Sequence, residues 1–128
     1  MNRLEMCRLA YGSTMMDGGY TLWQDGKKRR KGFVVGGVEH ESVCDKHDFD
    51  YFGKLYEDYS DIIRTGIHYF DRVVGIGTWR SDGQIYLDIV EHCEDEDVAR
   101  SKCVKRGELA YYDIENDKSV YIEKTDKT

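Results

Sequence analysis

The sequence predicts an α+β fold: a single domain with an antiparallel sheet and two helices packed on one face. Three observations predict it. Two segments carry apolar residues at helical spacing. Between and around them lie short alternating segments, in pairs separated by turn residues. The chain has 128 residues, 13 glycines and no proline, so glycine and Asp-Gly pairs must do the punctuating.

Taken in order, residues 1–19 have no strong period and read as a lead-in segment outside the domain, which is assigned to residues 20–123. Tyr20 to Gln24 and Phe33 to Val38 read as two strands of a hairpin, with the basic stretch between them as its exposed tip. Asp48 to Thr65 is the clearest helix. Phe52, Leu55, Tyr56, Tyr59, Ile62 and Ile63 form its stripe, Asp48 caps it and Gly66 closes it. Arg72 to Arg80 and Gln84 to Val90 form a second hairpin around Ser81-Asp82-Gly83, whose Asp-Gly pair suits a tight turn. Gly75 and Gly77 share one face of its first strand, which leaves room for another element to approach.

Asp95 to Arg106 reads as the second helix, with Val98, Ala99 and Cys103 on its apolar side and Gly107 ending it. Leu109 to Ile114 and Ser119 to Glu123 form the last strand pair, and residues 124–128 a frayed tail. The expected order is β-β-α-β-β-α-β-β.

Charge divides the chain. The net charge is −6, but Lys27, Lys28, Arg29, Arg30 and Lys31 hold five of the 19 positive charges. Without them, 14 positive charges face 25 negative ones, so an acidic body carries one basic loop. This argues against a general nucleic-acid binder and leaves weak contact through residues 27–31 as one reading, with Trp23 and Phe33 placed to stack on a base. No apolar run approaches the ~20 residues of a membrane span, and no signal-peptide pattern is present. A cytoplasmic protein with reduced cysteines is expected, without a membrane partner.

The candidate chemistry is sparse. Cys44, His47, Cys93 and Cys103 make a possible zinc set or small enzyme site, if the loop before the first helix meets the end of the second hairpin. Their spacing matches no finger or ribbon, so no cofactor and no metal site are expected. The acidic residues at the start of the second helix follow from its dipole. Asp50, Glu57, Asp58 and Asp61 on the first helix do not, and form a candidate face for a basic partner. A sheet face without helices would present Trp79, Tyr86, Asp88 and Tyr112 to a partner or a second copy, so a dimer is one reading of that face.

One block has a familiar look. Gly77-Thr78-Trp79, Asp82 to Ile89, Ala99 and Gly107 to Asp113 give G-x-W, DG-x-x-Y-L-D, a helix, then G-E-L-A-x-Y-D. It resembles a set of small uncharacterised proteins of bacteriophages and bacteria, many actinobacterial. The resemblance covers about the last third of the chain and brings no activity or catalytic residue. It implies phage or mobile-element origin. The resulting expectation is a non-enzymatic accessory protein that binds a host protein or nucleoprotein complex, in its most concrete form an anti-CRISPR-like inhibitor.

Overall fold

The computed structural model describes residues 2–66 and 71–123; the expected tail at 124–128 lies outside them. The fold is α+β. Three helices and seven strands follow in the order α1 (Arg3–Asp17), β1 (Gly19–Trp23), β2 (Phe33–Val35), β3 (Ser42–Asp45), α2 (Phe49–Thr65), β4 (Val74–Ser81), β5 (Gln84–Cys93), α3 (Glu96–Lys105), β6 (Ala110–Asp113) and β7 (Lys118–Tyr121). All the strands join one antiparallel sheet.

The elements with strong local signals fall where expected. Asp48 accepts from the Tyr51 N–H and Asp95 from those of Asp97 and Val98, so both helices start on an aspartate cap. The α2 stripe is buried at Phe52, Leu55, Tyr56, Tyr59 and Ile63. The β4–β5 turn places Asp82 and Gly83 both at positive φ, as a two-residue hairpin loop requires.

Five expectations are corrected. Residues 1–19 belong to the domain, since α1 buries Cys7, Ala10 and Thr14 against the core. β1 and β2 are not a hairpin: β1 pairs with β4, while β2 lies between β5 and β6. Asp25 to Gly32 is therefore a crossover rather than a hairpin tip. The loop before α2 contains a further strand, β3, paired with β5 from Ser42↔Leu87 to Asp45↔Gln84. Gly66 is extended rather than a left-handed cap, and Val98 is exposed rather than part of a core stripe.

Two buried clusters make the core. α1 and α2 pack on Ile85, Leu87 and Ile89 of β5, together with Val74 and Ile76. Ala99 and Cys103 of α3 pack with Cys93, Val35 and Tyr111. Both clusters draw on β5 side chains of one parity, since alternate residues share a face. Trp23 lies across the sheet at Gly75, whose added Cβ would sit 2.5 Å from the Leu22 carbonyl oxygen and 3.0 Å from the Trp23 ring.

β5 also organises the polar interior. β2 and β3 share its second edge, pairing up to Glu91 and from Leu87. Residues 36–41 therefore leave the ladder as a six-residue excursion opposite residues 88–90.

Candidate functional site

The exposed face of α2 carries the acidic residues read from the sequence. Asp50, Glu57 and Asp58 are exposed and Asp61 is half-buried. Arg3 of α1 reaches Glu57 and Asp61, each at 3.3 Å, and Arg64 pairs with Asp61 at 2.8 Å. Such exposed pairs contribute at most about 1 kcal/mol each. Asp58 joins no ion pair among the described residues.

Asp58 stands instead on the rim of a hollow of about 260 Å³ between α2 and the 36–41 excursion. Leu55, Tyr59 and Ile62 form its apolar part, and Glu39, His40 and Ser42 form the wall opposite Asp58. Ile62 belongs to the stripe predicted to be core, yet is 40% exposed. Exposed apolar surface at Ile62 beside carboxylates matches a side chain with an aliphatic stem and a cationic head, such as arginine or lysine. A second groove, of about 520 Å³, runs between α1 and α2; its rim of Arg3, Asp50, Lys54 and Glu57 carries both signs and selects neither.

The wall of the hollow is held by side chains. The Tyr59 hydroxyl donates to the His40 carbonyl at 2.6 Å and lies 2.8 Å from Ser42 Oγ. Arg106 Nη1 donates to the Gly36 carbonyl at 3.2 Å. The Gly37 N–H donates to Asp88 Oδ2 at 2.7 Å. Two glycines sit here. A Cβ on Gly36 would lie 2.6 Å from Asp88 Oδ2 and 2.7 Å from Glu108 Oε1, and Gly37 has φ +80°.

Asp88 is 1% exposed and cannot touch a partner, which removes it from the surface where the sequence reading put it. Its Oδ1 has no hydrogen-bond partner among the described residues. Burial pushes its pKa up to about 7; the Gly37 and Ile89 N–H groups oppose this, while Glu108 and Glu41 add to it. Burial also raises Glu108, and burial together with Glu108 raises Glu41.

Glu91, on the same strand, is equally buried and fully partnered. Arg106 Nη2 reaches it at 2.7 Å, Lys102 Nζ donates to it, and Arg72 lies at 4.0 Å. Burial pushes Glu91 up, but the bonds from Arg106 and Lys102 outweigh it and hold the carboxyl below its usual range.

The other sheet face carries Trp79 and Tyr86, a cross-strand pair stacked at 5.3 Å and 10°. Val43 continues the row, and both Val43 and Trp79 are 38% exposed. Tyr112 shares that face by register, two strands from Tyr86, with its hydroxyl held by Asp117.

The structure does not assemble the zinc set. Cys44 is in the α1–α2 core, Cys93 and Cys103 are in the α3 core, and His47 is exposed. Among the described residues no group of three or more His, Cys, Asp or Glu is placed to hold a metal ion. Burial raises the Cys44 and Cys93 thiols, which disfavours the thiolate that a ligand or nucleophile needs.

The basic stretch is only partly free. Asp25 grips Arg29 through two bonds of 2.8 Å, and the guanidinium lies 5.2 Å from the Trp23 ring centroid. That grip holds the Asp25 carboxyl well below its usual range. Trp23 is 6% exposed, so it cannot stack on a base as the sequence reading had it. Lys27, Lys28, Arg30 and Lys31 remain exposed.

Sequence patterns missed the excursion and its wall of the hollow. The available signal was Gly36-Gly37 ahead of Glu39-His40-Glu41, a glycine pair followed by polar residues where a strand was expected to run on. Comparisons with protein-family models, with curated proteins and with solved structures found no match. No helix among the described residues is long and apolar enough to cross a membrane.

Proposed function

We propose that this chain is a non-enzymatic accessory protein that works by docking a basic surface of a host protein or nucleoprotein complex. In its most concrete form it is a cytoplasmic counter-defence inhibitor, anti-CRISPR-like, of phage or mobile-element origin. The observation that carries the docking reading is the hollow at Asp58. Exposed Ile62, beside the buried Leu55 and Tyr59, adjoins a carboxylate that joins no ion pair among the described residues. Asp50 and Glu57 extend the same charge along α2. Steering by such a face favours a cationic partner and weakens as salt rises.

The experiment is affinity capture from host lysate with the native chain, Asp58→Lys and Trp79→Ala. The expected result is a defined nucleic-acid-targeting complex retained by the native chain and by Trp79→Ala, and lost with Asp58→Lys. Equal retention by Asp58→Lys, or no such complex, overturns the proposal. Loss with Trp79→Ala alone would move the interface to the aromatic row of Val43, Tyr86 and Trp79.

A further inference from the structure

We propose that Asp88 is a proton-operated latch on the Gly36–Glu41 excursion: protonated, it keeps the excursion closed on β5; ionised, it favours release. The consequence for function rests on the docking reading, because Glu39, His40 and Ser42 form one wall of the hollow.

The geometry supplies both halves of the device. Opposite residues 88–90 the excursion replaces the regular pairing of the flanking strands, and the Gly37 N–H is fastened directly to the Asp88 carboxyl at 2.7 Å. Closure seals that carboxyl at 1% exposure, with no partner for Oδ1 among the described residues. It also brings Glu108 in, since one added Cβ at Gly36 would touch both carboxyl groups.

The charges facing Asp88 come from three sides. Glu41 belongs to the excursion and Glu108 follows α3. Tyr59 of α2 is the neighbouring hydroxyl, and its own ionisation is disfavoured by burial and by Asp88. Arg106 is the nearby cation, but it donates to Glu91 and to the Gly36 carbonyl. The β4 residue paired with Asp88 is Gly77, which brings no charge. A carboxylate enclosed this way is closed to bulk solvent, and among the described residues it meets the Gly37 and Ile89 N–H groups but no cation. Any conformation that hydrates it is therefore favoured by ionisation, and linkage makes opening rise with pH.

The ionised carboxylate would accept a stronger bond from the Gly37 N–H. One such bond does not replace hydration, and Glu108 and Glu41 repel the charge. The carboxyl pushed up to about 7 places the balance in the neutral range.

The test uses the isolated chain, with ¹³C-carboxyl NMR from pH 4 to 9 and amide exchange corrected for intrinsic base catalysis. The expected result is an Asp88 midpoint near neutrality, with protection at Gly37 falling through the same midpoint. Asp88→Asn should keep that protection independent of pH, and Glu108→Gln should lower the Asp88 midpoint. An Asp88 midpoint below pH 5, or protection that ignores the midpoint, overturns the latch.

An arginine-containing peptide, added to the same samples, reads the hollow through the Leu55 and Ile62 methyl signals. Binding that changes across the Asp88 midpoint supports control of the hollow. Binding that is unchanged across an intact transition overturns that control. A peptide that perturbs nothing at any pH, with the transition intact, overturns the hollow as a docking site and leaves the latch standing.

Discussion

Asp88 and Glu91 are neighbours on one strand, both nearly closed to solvent, at 1% and 3% exposure. Glu91 meets Arg106 and Lys102 and is held ionised. Asp88 meets one excursion N–H and two further carboxyl groups, and its proton is held until about pH 7. Burial alone raises the pKa of both. What separates them is which chain segment covers each one. Lys102 of α3 and Arg106 at its C-cap supply two cations to Glu91, whereas the excursion covers Asp88 with backbone and brings more acid. A buried carboxyl is thus a fixed anchor or a titrating element according to its partners.

The sharpest way to break the contrast is Glu91→Ala. It leaves Arg106 and Lys102 without their acceptor in a half-buried setting. We expect a loss of about 3 kcal/mol in urea unfolding at pH 7, with the m-value unchanged. A loss below about 1 kcal/mol would make Glu91 no anchor, since that is the range of an exposed pair.

Asp88→Asn should act in the opposite direction and with a pH dependence. The folded pKa of Asp88 lies above its unfolded value, so the native state binds the extra proton between about pH 4 and pH 7. Stability contributed by that proton is complete at low pH and lost as pH rises through about 7. The amide variant removes this loss. Its gain over the native chain should grow by about 2 kcal/mol between pH 5 and pH 8. A constant difference across that range would contradict the raised pKa. Glu91 has the reverse sign: its depressed pKa contributes stability above the unfolded value, lost as pH falls through the folded one.

Gly36→Ala tests the same enclosure by volume. Its Cβ would press on the tips of Asp88 and Glu108, which can shift, so about 1–2 kcal/mol of destabilisation is expected. The added methyl should also increase amide exchange at Gly37. Trp79→Ala is the smallest effect. The ring is 38% exposed and stacks only at the surface, so about 0.5–1 kcal/mol in thermal unfolding is expected. A loss above 2 kcal/mol would give the aromatic row a role in the core.

These two carboxyls also show how far the sequence could be read. Glu91 and Asp88 look alike in the chain, each an acidic residue in an otherwise apolar strand. Alternation correctly put Asp88 on the same side as Tyr86, but could not show that an excursion would cover it. Asp58 was legible as exposed acid because a single helix fixes its face. That it borders a hollow depends on Glu39, His40 and Ser42, brought there by strand pairing. The zinc set failed for the same reason: Cys44 and the Cys93–Cys103 pair enter different cores.

The sequence by itself determined what is local. Asp48 and Asp95 start helices because their carboxylates accept nearby N–H groups. The α2 stripe follows a 3.6-residue period, and Asp82-Gly83 bends a hairpin through positive φ. Only the tertiary structure decided what depends on distant partners. It split the predicted first hairpin between β4 and β5, because pairing energy lies in backbone bonds that nearly any sequence can make. It drew α1 into the core through Ala10 and Thr14, although its weak periodicity gave no such signal. It also placed one carboxyl beside cations and the other beside acids, and solvation and charge at those two points set what each can do.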